Sequence, residues 1–297
     1  DSSGITNLTN VIRDDAEYVF PGSTSFSASA YETGDFSSTY TLTKSGWTWD
    51  NSLSQTNLNA WVNNSYSTGS SSTGWYPSDQ SAVSGDTIEI AFGTSKYITG
   101  FRMYMDAIAT NGNWTLKGST DNGGSYTDLD TDWAWLGSSG GASAPQNGFE
   151  RTFSNDTAFN KVQFVGVSGN WTRNPWQTEV QFKTKTLTST INATGSFESN
   201  AITAPSSVNK MGAVITYQDN AGTNALNTDI VLKLSADGGS NYATATLAAM
   251  PDFSSGIKMA RVNDLSVTAG TSLKYKIEFA NQSATKEARI RGCSLQF

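Results

Sequence analysis

The chain has 297 residues, of which 37% are hydrophobic, 11% aromatic and only 15% charged, with a formal net charge of −7; it can bury a core, but its surface must be built from Ser, Thr, Asn and Gly rather than from ions. It contains no histidine and one cysteine, Cys293, which excludes the commonest general base, a serine-hydrolase triad, a disulfide framework and a thiolate zinc cluster. The acidic balance argues against nucleic acid as a partner, since phosphate contacts need clustered Lys and Arg, and no apolar run approaches a membrane span, so membrane insertion is not expected.

In chain order, the N-terminal "DSSGITNLTN" has no basic-then-apolar leader, so a leader is expected either to have been removed or not to have been used. The first clear strands follow further on. "TIEIAF" (87–92) turns Ile88, Ile90 and Phe92 to one side and "FRMYM" (101–105) does the same with Phe101, Met103 and Met105; this period of two predicts strands with one wet face. "LKGSTDNGGSYTDL" (116–129) then reads as a hairpin, with Asp121 accepting backbone N–H bonds and Gly123 and Gly124 supplying positive φ. "LKLSADGGSNYATATL" (232–247) repeats it around Asp237, Gly238 and Gly239. The pair resembles the Asp-box turn of sialidases and related β-propellers, but the two Asp residues stand 237 − 121 = 116 positions apart, whereas propeller blades repeat every ~40–50 residues. A structural turn used twice is expected.

"SLKYKIEF" (272–279) alternates Leu273, Tyr275, Ile277 and Phe279 against Lys274, Lys276 and Glu278, and the final run changes phase near Gly292, which predicts a bulge. Cys293 falls in that apolar pattern and is expected to be a buried structural thiol. Segments of helical period are missing. The expected fold class is all-β, as two antiparallel β-sandwich (jelly-roll-like) domains. All nine tryptophans precede residue 184, and the first 184 residues carry 18 Asp+Glu against 9 Lys+Arg (−9), the remainder 8 against 10 (+2). With the polar, β-branched "KTKTLTSTINATG" between them, the expected domains are 1–184, including an N-terminal extension, and 190–297.

From about 60 to 183 the order of "AWVNN" (60–64), "STGW" (72–75), "GDTIEIAFGTSKYITGFRMY" (85–104), "NWTLKGSTDNGGSYTDL" (113–129), "ERTFSN" (150–155), "KVQFVGVSGNW" (161–171) and "PWQTEVQF" (175–182) resembles the discoidin, or coagulation factor 5/8 type C, family of jelly-roll modules, which includes many carbohydrate-binding modules. The resemblance implies glycan recognition and a structural Ca2+ held near Asn63, Thr73 and Glu179. Asn63 stands where the family has Asp, which removes a charge from a hard-cation site. The alternative is that Asn63 caps a turn and Glu179 pairs with a cation.

The stretches "ALNTDIVLKLSADGGSNYATATL" (225–247), "GTSLKYKIEFANQ" (270–282) and "ATKEARIRGCSLQF" (284–297) resemble the C-terminal β-sandwich of structural proteins of marine tailed phages. That implies a bacteriophage virion protein, a tail fibre or other appendage on the virion surface or extracellular face, serving host attachment. Its partners would be a host-surface glycan or neighbouring virion subunits, in a homo-oligomer with a trimer favoured. A secreted bacterial carbohydrate-binding or adhesin protein, and a capsid decoration protein without glycan contact, are the alternatives.

Flat apolar rings with a polar edge stack on sugar C–H faces. Trp133 and Trp135, in the Gly/Ser-rich "DTDWAWLGSSGGASAPQNG" (130–148), and Trp171 with Arg173, in "GNWTRNPW" (169–176), are the ligand-binding candidates. Arg173 could present a hydrogen-bond fork to an acidic glycan. Contact with ligand is weighed for Trp133 and Trp135 against covering one end of the sandwich, and their spacing of two is read as leaving one ring on each face of a strand. Trp75 and Trp176 are expected in the core. The run Asp128, Asp130, Asp132 is read as solvated, because a glycosidase needs two carboxyls across one bond with shifted pKa values; no catalytic residue is expected, and the chain is read as no enzyme.

Overall fold

The computed structural model describes residues 4–14, 18–46, 58–64, 74–77, 80–105, 110–136, 149–172 and 176–297. The strands are β1 (Ile5–Thr9), β2 (Val11–Arg13), β3 (Val19–Pro21), β4 (Ser23–Phe26), β5 (Ala30–Tyr31), β6 (Thr41–Ser45), β7 (Thr87–Met105), β8 (Thr110–Ser119), β9 (Thr127–Leu136) and β10 (Phe149–Thr152). There follow β11 (Phe159–Ser168), β12 (Gln177–Lys185), β13 (Leu187–Thr190), β14 (Gly195–Ser199), β15 (Ile202–Ala221), β16 (Ile230–Ser235), β17 (Ala243–Thr244), β18 (Ala248–Ser254), β19 (Ile257–Phe279) and β20 (Glu287–Gln296). The 3-10 turn Ala60–Val62 is the one helical element among the described residues longer than two positions. The fold is all-β with antiparallel sheets, as the alternating pattern requires.

The chain forms two compact units, Phe26–Leu187 and Asp1–Ser25 with Thr188–Phe297. The first is a sandwich folded around one bent strand. The early part of β7 pairs with β6 and β11, and β11 continues to β8 and β9; its later part pairs with β10 and β12, and β12 with β5. Ile88, Ile90, Phe101 and Met103 of β7 face the core formed between these layers, as the alternation predicts.

The second unit differs from the expected boundaries at its N-terminal end. Residues 5–13 and 19–21 do not extend the first domain: Ile5 pairs with Ser199 of β14, and Val19 with Ile290 of β20. Ile5, Val11 and Val19 pack on the same core as Phe197, Ile277 and Ile290. The physical reason is edge closure, since β14 and β20 each leave a row of backbone N–H and C=O groups that another strand must satisfy. The chain passes between the units along β4 and β13, which pair as a ribbon. In β20 the register slips between Gly292, opposite Thr216, and Ile290, opposite Tyr217, the bulge expected there. Cys293 lies opposite Ile215 and burial pushes its thiol up to about 12.

The two Asp turns match bond for bond. Ser119 Oγ donates to Asp121 Oδ1 at 2.7 Å and Ser235 Oγ to Asp237 Oδ1 at 2.7 Å. The serine oxygens in turn accept from Gly123 N at 2.7 Å and Gly239 N at 3.0 Å. Asp121 Oδ1 and Asp237 Oδ1 accept from Ser125 N and Asn241 N at 2.9 and 3.0 Å. The backbone is left-handed at Asn122 (φ +60) and Gly123 (φ +96) in one copy, and at Gly238 (φ +78) and Gly239 (φ +91) in the other, which is why Gly and Asn occupy these positions.

These backbone and hydroxyl donors lower both carboxyls to about 2. A depressed folded pKa contributes stability that is complete above the unfolded value of about 3.9 and is lost as pH falls through the folded one. A variant with Asp121→Asn and Asp237→Asn is therefore expected to be less stable at pH 7 and to lose less on acidification from pH 4 to 2 than the parent chain, measured by urea unfolding at each pH. An unchanged pH slope would contradict this role for the turns.

Candidate functional site

The first unit's core is a stack of indoles. Trp61 lies 5.8 Å from Trp135 and 5.3 Å from Trp75, and Trp114 lies 5.1 Å from Trp135 and 5.0 Å from Trp171. Trp133 joins through Phe101 and Trp135, at 5.0 and 6.0 Å. Three of the four ligand-binding candidates are part of it: Trp133 is 2% exposed, Trp135 0% and Trp171 1%. They cannot offer a ring face to a sugar, so stacking by these residues is corrected to core packing. The reading of one ring per face fails as well, because residues two apart share a face of a strand; β9 buries both rings and turns Ala134 outward. Trp75 is buried as expected, whereas Trp176 is half-buried and set edge-on to Tyr76 at 4.7 Å.

Arg173, Thr73 and the segment 137–148 lie outside the described residues. Asn63 directly follows the 3-10 turn at Ala60–Val62, and Glu179 is 1% exposed on β12. Gln181, two residues along β12 from Glu179, donates to Asn64 Oδ1 at 2.8 Å, so the Asn63–Asn64 corner covers the strand that carries Glu179. A buried carboxylate is a donor that suits a hard cation. Among the described residues, however, no three His, Cys, Asp or Glu side chains gather closely enough to form a metal cluster, so Glu179 would have to rely on neutral oxygens for the rest of the shell.

The aspartates 128, 130 and 132 do not form a catalytic pair. Asp128 meets Lys117 at 2.9 Å, Asp130 takes a two-pronged contact from Arg151 at 2.7 and 2.8 Å, and Asp132 accepts from Asn113 Nδ2 at 2.9 Å. Each is occupied by its own partner, where the sequence suggested free solvation.

The site that emerges is half visible in the sequence, which offers Trp171 and the segment 169–176 but not their counterpart at 112–115. The tetrapeptide Gly-Asn-Trp-Thr occurs twice, at 112–115 opening β8 and at 169–172 leaving β11, and pairing of β8 with β11 sets the two copies side by side, with Ser168 opposite Asn113 and Gly166 opposite Trp114. Gly112 (φ +69) and Gly169 (φ +84) meet backbone to backbone: a Cβ on Gly169 would stand 2.8 Å from Gly112 Cα. Only glycine permits that approach. Both tryptophans plunge into the core, while Asn113, Asn170 and Thr172 line an open cleft of about 430 Å³ with Gln80 and Thr110.

Buried polar groups hold the cleft in shape. Trp171 Nε1 donates to Asp86 Oδ2 at 2.7 Å, Trp114 Nε1 to the Asn111 carbonyl at 2.5 Å, and Thr172 N to Asn111 Oδ1 at 3.0 Å. The Thr172 hydroxyl closes on the Thr110 carbonyl, and Trp171 N and Val83 N bond to the Ser81 and Gly169 carbonyls. The walls thus present amides, hydroxyls and peptide groups, and none of the described residues lining the cleft is titratable. Such a lining can orient a hydroxylated molecule by hydrogen bonds but offers no group for proton transfer at neutral pH. The repeated Gly-Asn-Trp-Thr was the available signal.

No protein-family model matches the chain, and no curated protein matches it. Among solved structures it is similar to chitosan-binding module 1 of a chitosanase/glucanase from Paenibacillus sp. IK-5, at 18% identity over 48% of this chain and 94% of that one, TM-score 0.35. It is also similar to a family 32 carbohydrate-binding module of NanJ from C. perfringens in complex with galactose, at 11% identity over 51% and 98%, TM-score 0.35. A fucolectin from striped bass (Morone saxatilis) serum matches at 7% identity over 90% of this chain and 98% of that one, TM-score 0.37.

The placement of Trp135 has a measurable cost attached. Removing a buried indole leaves a cavity and forfeits about 3–5 kcal/mol, whereas a solvent-facing ring changes stability by about 0.5 kcal/mol or less. Urea unfolding of Trp135→Ala is expected to show the larger loss; the smaller one would return Trp135 to the surface.

Proposed function

We propose that the chain is a non-enzymatic recognition protein whose first unit binds a neutral glycan in the cleft between the two Gly-Asn-Trp-Thr segments. The observation that carries the reading is the facing pair itself: two glycines brought into contact, two asparagines on the walls, and two indoles anchoring them from below. A rigid, uncharged set of amides and hydroxyls suits a ligand that is all hydroxyl groups, because each buried polar group must find a partner when water leaves. The discoidin-like order of motifs in the sequence agrees with this reading.

The finer reading is a virion appendage, following the likeness of the C-terminal stretches to phage structural proteins. A single shallow site binds weakly, so useful attachment calls for several copies on one particle, which a homotrimer would supply. Isothermal titration of the full chain with methyl glycosides of common neutral hexoses is expected to show binding that falls tenfold or more in Asn170→Ala with Thr172→Ala. Unaltered affinity in that variant would remove the cleft from the account. Light scattering on the same protein should give three times the 31.7 kDa chain mass, and a persistent monomer at micromolar concentration would contradict the appendage reading.

A structural Ca2+ at Glu179 with Asn63 and Thr73 is part of the same proposal. The cation would neutralise a buried carboxylate and fix the Asn63–Asn64 corner. A ligand at 100 times its Kd stabilises by about 2.7 kcal/mol, so adding millimolar Ca2+ should raise the Tm of the parent chain and leave Glu179→Gln unmoved; a Tm indifferent to Ca2+ and EGTA rejects the site.

A further inference from the structure

Taken one at a time, the two units prove to be built on one plan. In the first, Ser119 at the head of the Asp turn pairs with Lys161 of β11, and Gln163, two residues on, pairs with Glu89 of β7. In the second, Ser235 pairs with Lys274 of β19, and Lys276, two residues on, pairs with Glu198 of β14. The outer neighbour of the glutamate is also the same, Thr43 of β6 opposite Glu89 and Thr6 of β1 opposite Glu198.

The side chains repeat with the register. Lys161 Nζ lies 3.4 Å from Glu89 Oε2, and Lys274 Nζ 2.9 Å from Glu198 Oε2. Five residues after each turn aspartate, Tyr126 and Tyr242 stand over the turn glycine: a Cβ on Gly123 would lie 3.0 Å from Tyr126 Oη, and one on Gly239 3.1 Å from Tyr242 Oη. Tyr126 donates to Glu89 Oε1 at 2.6 Å, and Tyr242 stands beside Glu198, which together with burial raises the tyrosine's pKa.

The second layer agrees too. The later part of β7 runs between β10 and β12, and β15 runs between the early part of β19 and β20. Hairpin turns recur by convergence, but a hairpin, a lysine, a glutamate and a tyrosine recurring at equal register on strands of equal order do not follow from turn chemistry alone.

The second unit has a polar cleft of its own. In the first unit the cleft opens at the ends of β8 and β11 away from the Asp turn, with Ala134 of β9 on its wall. In the second unit, at the ends of β14, β16 and β19 away from the Asp turn but displaced toward β1, lies a cleft of about 360 Å³ lined by Thr9, Asn10, Thr194, Ser196, Val231 and Glu278. Asn10 takes φ +51, and Gly195 allows it to close in, since a Cβ there would stand 2.5 Å from the Asn10 carbonyl oxygen. Glu278 is held by Lys233 at 2.8 Å and Lys276 at 3.1 Å. The cleft itself is lined by three hydroxyls, an amide and this paired carboxylate, groups that can orient a hydroxylated ligand by hydrogen bonds.

We infer that the chain is an internal duplication of one sandwich module and that its second unit carries a second cleft, at Thr9, Asn10, Thr194 and Ser196, for a neutral sugar. The ligand class rests on the reading of the first cleft; the location rests on the lining of the second.

The test is amide chemical-shift mapping on the full-length 15N-labelled chain, titrated with the methyl glycosides of glucose, galactose, mannose, fucose and N-acetylglucosamine to about 50 mM, a range that covers millimolar affinities. Saturable shifts at residues 9–10, 194–196 and 278–280 are expected. They should weaken tenfold or more in Thr194→Ala with Ser196→Ala and persist in Asn170→Ala with Thr172→Ala, the parent-like spectrum of each variant certifying its fold. Shifts confined to 110–113 and 169–172 overturn the second cleft and leave the first reading standing. Shifts confined to the second unit support this inference and remove the first reading, and shifts at neither overturn both.

Discussion

The packing of indoles in the first unit is the constraint on which the rest depends. Trp61, Trp75, Trp114, Trp133, Trp135 and Trp171 are all 2% exposed or less, and each such side chain removes about 150–250 Å² from water on folding. The stack fixes β8, β9 and β11 from inside. Trp114 and Trp171 are also the third residues of the two Gly-Asn-Trp-Thr segments, so the packing that stabilises the sandwich presses Gly112 against Gly169 and turns Asn113 and Asn170 to the cleft. These six rings are committed to the interior, and the cleft above them is lined by amides and hydroxyls instead.

Burying so many indoles creates a polar obligation. Trp114, Trp135 and Trp171 meet it through the Asn111 carbonyl, Gln177 Oε1 at 3.1 Å and Asp86. Among the described residues Trp61 and Trp133 have no acceptor for Nε1, and an unmade buried hydrogen bond costs about 1–3 kcal/mol. The core accepts that cost because dispersion and burial around rings 5–6 Å apart outweigh it. In the second unit, with no tryptophan, aliphatic residues such as Ile215, Leu232 and Ile277 fill the same layers, and the Asp turn with its Lys–Glu pair supplies the common polar frame.

Much of the fold was legible because strand alternation is a local signal. Ile88, Ile90 and Phe92, or Leu273 and Ile277, announce their faces within a few residues, and Gly292 announced the bulge. The N-terminal strands were not legible as part of the second unit, because Ile5 pairs with Ser199 across nearly the whole chain and nothing near Ile5 encodes that. The Gly- and Ser-rich residues after Trp133 and Trp135 suggest ligand contact as readily as a covered sandwich end, although the rings' own period of two, with Ala134 between, marks a strand with one buried face. The Asp turn was legible as a repeat, but its Lys and Glu partners sit on strands at unequal sequence distances, so the duplication shows only in the register. The cleft was written in plain view as a repeated tetrapeptide whose two halves meet only after β8 pairs with β11.

The most direct measurement is hydrogen exchange at the indole N–H groups by NMR, on the free protein and with glycan at saturation. Protected Trp114, Trp133, Trp135 and Trp171 signals, with Trp133 and Trp135 unmoved by glycan, are what a recognition surface without exposed rings predicts. Freely exchanging Trp133 and Trp135 signals that shift on glycan addition would show the rings at the surface and contradict the account.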